Sequence, residues 1–380
     1  MSFPSDGCSI TLVGSGVSTG VPVIGHLTSS CACVEAMRDP LGPNRRNNVS
    51  LLITVPDTSG LLGTGGECDK GEGSTTCSRH VLIDCGKTFR DAYFRVLAKH
   101  GVQTLDGLLL THDHADAMAG LDDLRDLQPF HLDEQGNCYV NAYIPTYASN
   151  KTIQAMQTQF GYIARNSCLM GDAPKTAEGH AAALKRVANE RKEIGLSNNI
   201  GTRRSTALQL FILPDSEPSP FYIPAFGDEF SMYAVPVEHG ENYVALGFVF
   251  GRGVRFRSAG QLDNGRACCV YLSDLSAVPP KTMAFLRDLV KIDVLIVDML
   301  LGPGQTHPSH YCMDDVMKLI ETLQPARTYG IGMYCDLEHH KGNKLLQKKL
   351  EVLKREGRCG SSVISVELGY DGMQLMLPLL

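Results

Sequence analysis

The sequence predicts an α/β fold, an αββα sandwich in which two mixed β-sheets pack face to face and helices flank them. Three observations favour this fold. Short apolar runs typical of buried strands recur along the chain, amphipathic helical patterns lie between many of them, and several runs end in His or Asp. Strands at this density with interspersed helices are best accommodated by two packed sheets with helices outside.

The length of 380 residues fits either one elaborated domain or two domains. We expect a single domain over residues 1–380 with insertions at 57–79 and 163–207. The first insertion is rich in Gly, Ser, Thr and Asp and lacks apolar periodicity. The second is polar, and its helical pattern near 181–192 has no clear core face. We interpret it as a surface insertion or a lid.

The first elements alternate between strands and a helix. Residues 9–13 and 49–55 are expected to form strands, and the short strand 81–83 ends at Asp84. A helix over 88–99 follows, with an apolar face at helical spacing. Asp84 is therefore expected either to orient a metal-ligating histidine through a hydrogen bond or to cap this helix.

The most informative stretch follows the apolar run 108–110. His112, His114 and Asp116 occupy alternate positions there, so in an extended segment they point to the same side. Two imidazoles and a carboxylate are ligands for zinc, manganese or iron. The alternative is a polar loop with solvated histidines, but the position directly after a buried strand favours the metal site.

Three later strands also end in a candidate ligand or a carboxylate. Residues 232–238 lead to His239, residues 268–272 to Asp274, and residues 294–297 to Asp298. Loops at one edge of the sheets would bring such side chains to a single open metal site. Downstream, His307 and His310 lie in a Gly/Pro loop before a helix, where histidines are often solvent-facing.

Two further predictions concern the ends of the chain. Cys31 and Cys33, shortly after His26, suggest a thiolate metal site, but two thiolates do not complete a tetrahedron, so buried free thiols are an equal alternative. Residues 44–48 form a polar turn whose Arg45 and Arg46 either hold an anion or are solvated, and we expect the second. Near the C-terminus, strands at 363–367 and 373–378 flank an Asp-Gly turn and are expected to form a hairpin.

Composition excludes several classes of protein. The formal charge of −6 and the pI near 6.1 argue against a broad nucleic-acid-binding face. The sequence contains no run of 18 apolar residues, so we expect no membrane span, and the first residues lack the pattern of a secretory signal. The 13 cysteines do not follow a disulfide framework. We therefore expect reduced thiols and a cytoplasmic location.

Together these motifs resemble the metallo-β-lactamase superfamily, whose αββα sandwich carries an H-x-H-x-D-H metal motif. The nearer resemblance is to the PhnP-like branch of cyclic phosphodiesterases, which is related to the tRNA 3′-processing endonuclease. Beyond the metal loop, the resemblance includes the segments 14–22, 120–125, 307–310 and 369–372, and it covers nearly the whole chain.

The resemblance implies roles for the candidate residues. His112, His114 and His239 would hold a first Zn²⁺ or Mn²⁺, Asp274 would bridge two metals, and Asp116 would serve the second. His310 would face the substrate, with His307 as the runner-up.

Two departures from the family pattern weaken the second site. Ala117 and Gly332 stand where the family has histidines, so we expect one firm metal and a weak second one. His307 or His339 could be recruited in compensation.

The same alignment supplies a partner for the cysteines. A structural Zn²⁺ would use Cys31, Cys33 and Cys335, with His26 as the nearest fourth ligand.

The expected function is metal-dependent hydrolysis of a small phosphodiester, above all a cyclic one, through a metal-bound hydroxide. Asp116 or Asp274 would orient the hydroxide, and His310 would protonate the leaving oxygen. The alternatives are an RNase Z-like nuclease, which the acidic charge disfavours, and a catalytically weak binding or scaffold protein with an eroded second site. The expected partner is a small-molecule phosphodiester, with no membrane and no nucleic acid; the oligomeric state stays open, a homodimer included.

Overall fold

A computed structural model describes residues 8–26, 31–56, 78–193 and 200–377 of the chain. Nearly all of the predicted insertion at 57–79 lies outside the described residues. In chain order the strands are β1 (Ser9–Gly14), β2 (Ser50–Pro56), β3 (Ser78–Ile83), β4 (Gly107–Leu109), β5 (Phe130–Leu132), β6 (Cys138–Val140), β7 (Ile144–Ser149), β8 (Cys168–Asp172), β9 (Leu208–Leu213), β10 (Ser219–Phe221), β11 (Ser231–Glu238), β12 (Val244–Gly251), β13 (Cys269–Leu272), β14 (Val294–Asp298), β15 (Arg327–Ile331), β16 (Ser365–Leu368) and β17 (Gln374–Met376).

The helices of the described residues follow the amphipathic patterns of the sequence. They are α1 (Ala32–Arg38), α2 (Phe89–Arg95), α3 (Ala115–Met118), α4 (Asn150–Gln159), α5 (Gly161–Asn166), α6 (Ala177–Glu193), α7 (Pro280–Asp288), α8 (Met313–Leu323) and α9 (His339–Arg355). Short 3₁₀ helices lie at Leu97–His100 and Leu121–Leu127. None of these helices is long and apolar enough to cross a membrane.

Two mixed sheets form the centre of the fold. Within the described ranges the first sheet has the order β17-β1-β2-β3-β4-β7-β9-β8, and the second has the order β10-β11-β12-β13-β14-β15-β16. Side chains alternate along each strand, so one strand serves two cores. Leu51 and Ile53 lie in the core between the sheets, whereas Leu52 packs against the helices outside the first sheet. Tyr271 and Val270 divide in the same way in the second sheet. The predicted αββα sandwich is confirmed.

Parallel pairing explains why the candidate ligands meet at one edge. The strands β3, β4 and β7 are parallel neighbours in the first sheet, and β13, β14 and β15 are parallel neighbours in the second. The carboxyl ends of parallel strands point to the same edge of a sheet. Asp84, His112, Asp274 and Asp298 follow or end these strands, so the sandwich gathers them.

The predicted C-terminal hairpin is wrong. The strand β16 pairs with β15 in the second sheet, and β17 pairs with β1 in the first. The Asp-Gly turn between β16 and β17 crosses from one sheet to the other because Asp371 is bound to residues near the first sheet. Its buried carboxylate accepts hydrogen bonds from Ser15 and from the backbone N–H of Asn47, and it pairs with Arg95 at 3.1 Å.

The segment 163–207, predicted as a surface insertion or lid, contributes partly to the sandwich. Strand β8 lies at the edge of the first sheet, parallel to β9. Met170 of this strand and Val187 of α6 belong to the core between the sheets. The apolar face of β8 and α6 is narrow. Because most residues of the segment are polar, the sequence pattern did not reveal this face.

Candidate metal centre

A buried relay of hydrogen bonds orients His112. Asp84 follows β3 with a left-handed backbone (φ 60°), and its two carboxylate oxygens accept the backbone N–H and the hydroxyl of Thr111, both at 2.8 Å. Because the Thr111 hydroxyl gives its proton to Asp84, it accepts from Nδ1 of His112, 2.9 Å away. This fixes the tautomer and leaves Nε2 of His112 as a bare lone pair.

That nitrogen is the strongest sign of a metal site. Nε2 of His112 is buried and has no hydrogen-bond partner among the described residues, and it lies 3.9 Å from a carboxylate oxygen of Asp116. Burial lowers the pKa of His112 to about 3, against the opposing charge of Asp116, so the imidazole is neutral. A buried lone pair without a partner is costly, and a metal ion would satisfy it.

His239 and His114 complete a group of three imidazoles. Nδ1 of His239 donates to the carbonyl of Ser309 at 2.8 Å, which again leaves Nε2 free. The ring of His114 lies 4.7 Å from that of His112 and 5.2 Å from that of His239 between centroids. One nitrogen from each of the three rings falls within 4.8 Å of the other two. The fit to a divalent cation is therefore good.

Asp274 joins this group from the second sheet. It also has a left-handed backbone (φ 49°), a conformation that non-glycine residues adopt mainly at special sites. Its carboxylate lies within 4.8 Å of the ligand atoms of His112 and Asp116, and likewise of His239 and His310. Asp274 is therefore shared by two groups, one with His112 and Asp116 and the other with His239 and His310. The family resemblance implies such a place for a bridging ligand.

A buried carboxylate that the site prediction did not include supports His310. Nδ1 of His310 donates to Asp298 at 2.7 Å, and the side chain of Asp298 is 1% exposed. Burial lowers the pKa of His310, but the Asp298 carboxylate outweighs this and raises the pKa to about 9. Burial raises the pKa of Asp298 itself to about 6, against the charge of His310. The sequence signal was the strand that ends in Asp298.

The positions of the two absent family histidines contain no ligand. Ala117 is buried, and Gly332 has a left-handed backbone (φ 72°). A Cβ at Gly332 would lie 2.4 Å from an oxygen of Asp298, so the carboxylate occupies this space.

Neither of the histidines suggested as recruits joins a metal group among the described residues. His307 is exposed, with its ring centroid 5.2 Å from that of His310, and His339 pairs with Asn343. It is His310 that approaches Asp274, at 4.0 Å.

The predicted cysteine site is also assembled. His26, Cys31, Cys33 and Cys335 each place one ligand atom within 4.8 Å of the others. Nδ1 of His26 lies 3.3 Å from the sulfur of Cys335. Burial and the neighbouring thiols raise the pKa of Cys335 to about 12. Four such donors match a tetrahedral Zn²⁺, which would reverse this shift by stabilising the thiolates.

Arg46 holds the loop that carries Cys335, and the prediction of a solvated turn is wrong for it. Arg46 is 1% exposed, and its guanidinium donates to the carbonyls of Tyr334 and Leu337 at 3.0 and 2.7 Å. The turn is polar because it satisfies buried carbonyls, not because it is solvated.

Comparison with known proteins agrees with this fold. Residues 79–188 match the family model described as "Beta-lactamase superfamily domain". A crystal structure of a diphosphatase from the PhnP family superposes with a TM-score of 0.59 at 22% identity, over 98% of each chain. Zn²⁺-bound PqqB from Methylobacterium extorquens superposes with a TM-score of 0.54 at 13% identity, over 97% of this chain and 99% of that one.

One curated relative is similar over part of its length. An octanoyltransferase from Porphyromonas gingivalis is 30% identical over 157 residues, which are 41% of this chain and 23% of the relative. The match thus spans less than a quarter of that protein. The family model covers less than a third of the chain, and the superpositions show that the chain has the metallo-β-lactamase fold, as the motifs predicted.

Proposed function

We propose that this chain is a metal-dependent hydrolase that cleaves a small phosphodiester, a cyclic one above all. The observation that carries the proposal is the convergence of three imidazoles and two carboxylates, with the paired His310 beside them. Likeness to a diphosphatase of the PhnP family supports the choice of phosphorus chemistry. The net charge of −6 favours a small substrate over a nucleic acid.

Each residue of the group has a proposed task. His112, His114, His239 and Asp274 would hold the first ion, and Asp116 with Asp274 would offer oxygens to a second, weaker one. A bound Zn²⁺ or Mn²⁺ would lower the pKa of a water toward neutrality and polarise the phosphoryl oxygens. Asp116 and Asp274 orient the attacking water for in-line approach to phosphorus, and one of them accepts its proton.

His310 supplies the other half of the proton transfer. With its Nδ1–H bound to Asp298, it carries a second proton at neutral pH because Asp298 raises its pKa. As the bond between phosphorus and the leaving oxygen breaks, Nε2 of His310 gives its proton to that oxygen. The cysteine group with His26 would hold a structural Zn²⁺ away from this reaction.

The direct test measures metal content and hydrolysis together. Purified protein is expected to contain about one catalytic and one structural ion per chain. Hydrolysis of bis(p-nitrophenyl) phosphate should stop on chelation and return with Zn²⁺ or Mn²⁺. A folded protein that hydrolyses neither this diester nor a 2′,3′-cyclic nucleotide with either metal would refute the proposal and favour a binding protein.

The pH profile tests the pairing of His310 with Asp298. The second proton on His310 is present below the pKa of His310 and is lost as the pH rises through that pKa. The value of kcat/KM for the 2′,3′-cyclic nucleotide should therefore fall on the alkaline side of the pH profile. In Asp298→Asn the raising charge is gone and burial lowers the pKa, so this alkaline limb should move down by about 1–3 pH units.

The matched variant for this measurement is His307→Ala. It should leave the alkaline limb in place, because His307 is exposed and does not contact Asp298 in the described structure. If the alkaline limb of the pH profile stays in place in Asp298→Asn but moves in His307→Ala, the proton donor is His307 and not His310.

A further inference from the structure

His114 differs from the other two imidazoles of the metal centre in how it is held. Nδ1 of His112 is bound to the hydroxyl of Thr111, and Nδ1 of His239 is bound to the carbonyl of Ser309. Such bonds set the direction of a metal-ligating ring. His114 is the exposed member of the three, and its ring has no hydrogen-bond partner among the described residues. Its direction therefore depends on packing.

The packing comes from one tyrosine ring that contacts all three imidazoles. Tyr243 lies in the loop between His239 and β12. Its ring stacks on that of His114, with centroids 4.9 Å apart and planes 27° apart. Its contacts with His112 and His239 are T-shaped, with centroids 6.3 and 5.6 Å away. The face of Tyr243 thus lies against the imidazole that lacks an orienting hydrogen bond in the described structure.

The metal loop in turn holds the ring of Tyr243. The hydroxyl of Tyr243 donates to a carboxylate oxygen of Asp113, the residue between His112 and His114. The backbone N–H of Asp113 donates back to the Tyr243 oxygen at 3.3 Å. The ammonium nitrogen of Lys151 lies 3.4 Å from the ring centre, which is a cation–π contact. The ring is thus restrained both at its hydroxyl and at its face, and it offers His114 a fixed surface.

Asp113 has a use in this arrangement that the metal does not give it. Although Asp113 stands between two candidate ligands, it belongs to none of the metal groups of the described residues. Its carboxylate accepts the proton of the Tyr243 hydroxyl instead. The same short loop therefore carries a ligand, His114, and the anchor of the ring that packs against this ligand.

We propose that Tyr243 and Asp113 position His114 as a metal ligand. Asp113 holds the hydroxyl of Tyr243, and the Tyr243 ring limits the rotation of the imidazole. The inference rests on the metal centre of the function proposed above, but not on the reaction. A ligand that is already ordered loses less side-chain freedom when an ion binds, so the ion is held more tightly. Both residues act through His114, so they are positioning residues.

The test measures how tightly each of the two ions is held. Protein is dialysed against rising concentrations of dipicolinate, a zinc chelator, and its zinc content is measured by mass spectrometry. The concentration that removes half of an ion is its midpoint, and the catalytic and structural ions each have one. In Tyr243→Leu the midpoint of the catalytic ion should fall by about tenfold or more, as for other residues that orient a ligand. The midpoint of the structural ion should not move.

A matched tyrosine shows whether the effect is specific. Tyr139 is half-buried like Tyr243, and it also stacks on an exposed histidine, His131, with centroids 5.2 Å apart. His131 lies outside the metal groups of the described residues. Tyr139→Leu should therefore leave both midpoints at their wild-type values. A folding defect in Tyr243→Leu would lower both midpoints and the unfolding temperature, and that result would overturn the inference.

Further variants test the bond between Asp113 and Tyr243. Tyr243→Phe keeps the ring and loses the hydroxyl, so its catalytic midpoint should fall less than that of Tyr243→Leu. Asp113→Ala should match Tyr243→Phe, and the double variant should fall no further, because both changes remove the same hydrogen bond. Asp113→Asn keeps an acceptor oxygen and should stay near the wild type. Additive losses in the double variant would overturn the role of Asp113.

Activity separates this inference from the proposed function. At saturating Zn²⁺, hydrolysis by Tyr243→Leu should return to near the wild-type rate; a loss that persists would mean that Tyr243 acts on the substrate, and would overturn the inference. An unchanged catalytic midpoint in Tyr243→Leu would also overturn it and leave the hydrolase standing. A selective fall in a protein that hydrolyses no phosphodiester would support the positioning role and refute the hydrolase. A wild-type protein that holds only the structural ion would refute both.

Discussion

His114→Ala is expected to lose the catalytic ion and more than about 100-fold in hydrolysis of bis(p-nitrophenyl) phosphate. Residues that merely orient a metal ligand already contribute about 10–100-fold to metal affinity or activity, so loss of a direct ligand should cost more. His114 is exposed, unlike His112, so its truncation opens no large cavity in the core. The measurement is metal content by mass spectrometry beside the rate with added Zn²⁺ or Mn²⁺.

A matched variant keeps this result specific. His131→Ala removes another exposed histidine, one that lies on β5 and outside the metal groups of the described residues. It should keep both ions and full activity. His114→Ala should still contain the structural Zn²⁺ and unfold at the wild-type temperature. Full metal content and activity in His114→Ala would mean that the three imidazoles do not hold the catalytic ion.

Cys335→Ser is expected to lose the other ion and to destabilise the protein by at least about 3 kcal/mol, because structural Zn²⁺ contributes directly to folding free energy. Cys335 is fully buried, and its carbonyl also accepts the backbone N–H of Ala32 at the start of α1 at 2.9 Å. Loss of the ion should therefore loosen α1 against the loop after β15. The measurement is zinc content together with denaturant unfolding.

The control for this variant is a cysteine with similar burial and no metal group. Cys359→Ser changes a thiol that is 6% exposed and lies outside the metal groups of the described residues. It should keep both ions and lose far less stability. Equal destabilisation in both variants, with zinc content unchanged, would mean that Cys31, Cys33 and Cys335 are buried free thiols. The two metal-site variants should thus each lose a different ion.

Local sequence patterns were sufficient for much of this molecule. Continuous apolar runs predict strands such as β2 and β13, because a strand between two cores must be apolar on both faces. The spacing of His112, His114 and Asp116 predicts a shared direction for three ligands, which is a property of a few consecutive residues. Asp84 was expected either to orient a ligand or to cap a helix, and it reaches His112 through Thr111.

Other features depend on residues that are far apart in the chain. Asp298 is the partner of His310 only because the fold places β14 beside the loop before α8, which the sequence pattern does not show. The ammonium nitrogen of Lys151 lies 3.4 Å from the centre of the Tyr243 ring, but β8, α6 and β9 to β11 separate the two residues in the chain, so no local pattern relates them.

The sequence by itself determined the fold class, the candidate metal-ligating side chains and the absence of histidine at positions 117 and 332. Only the tertiary structure decided how these pieces are used. An Asp-Gly turn predicts a hairpin by local propensity, but the buried bonds of Asp371 to Ser15, Asn47 and Arg95 make the chain cross between sheets instead. Likewise, the polar sequence around Arg46 suggests a solvated turn, but in the fold its guanidinium donates to carbonyls that are distant in the chain. The reason is the same in both cases: burial and long-range hydrogen bonds outweigh local preference, and neither is encoded in a short window of residues.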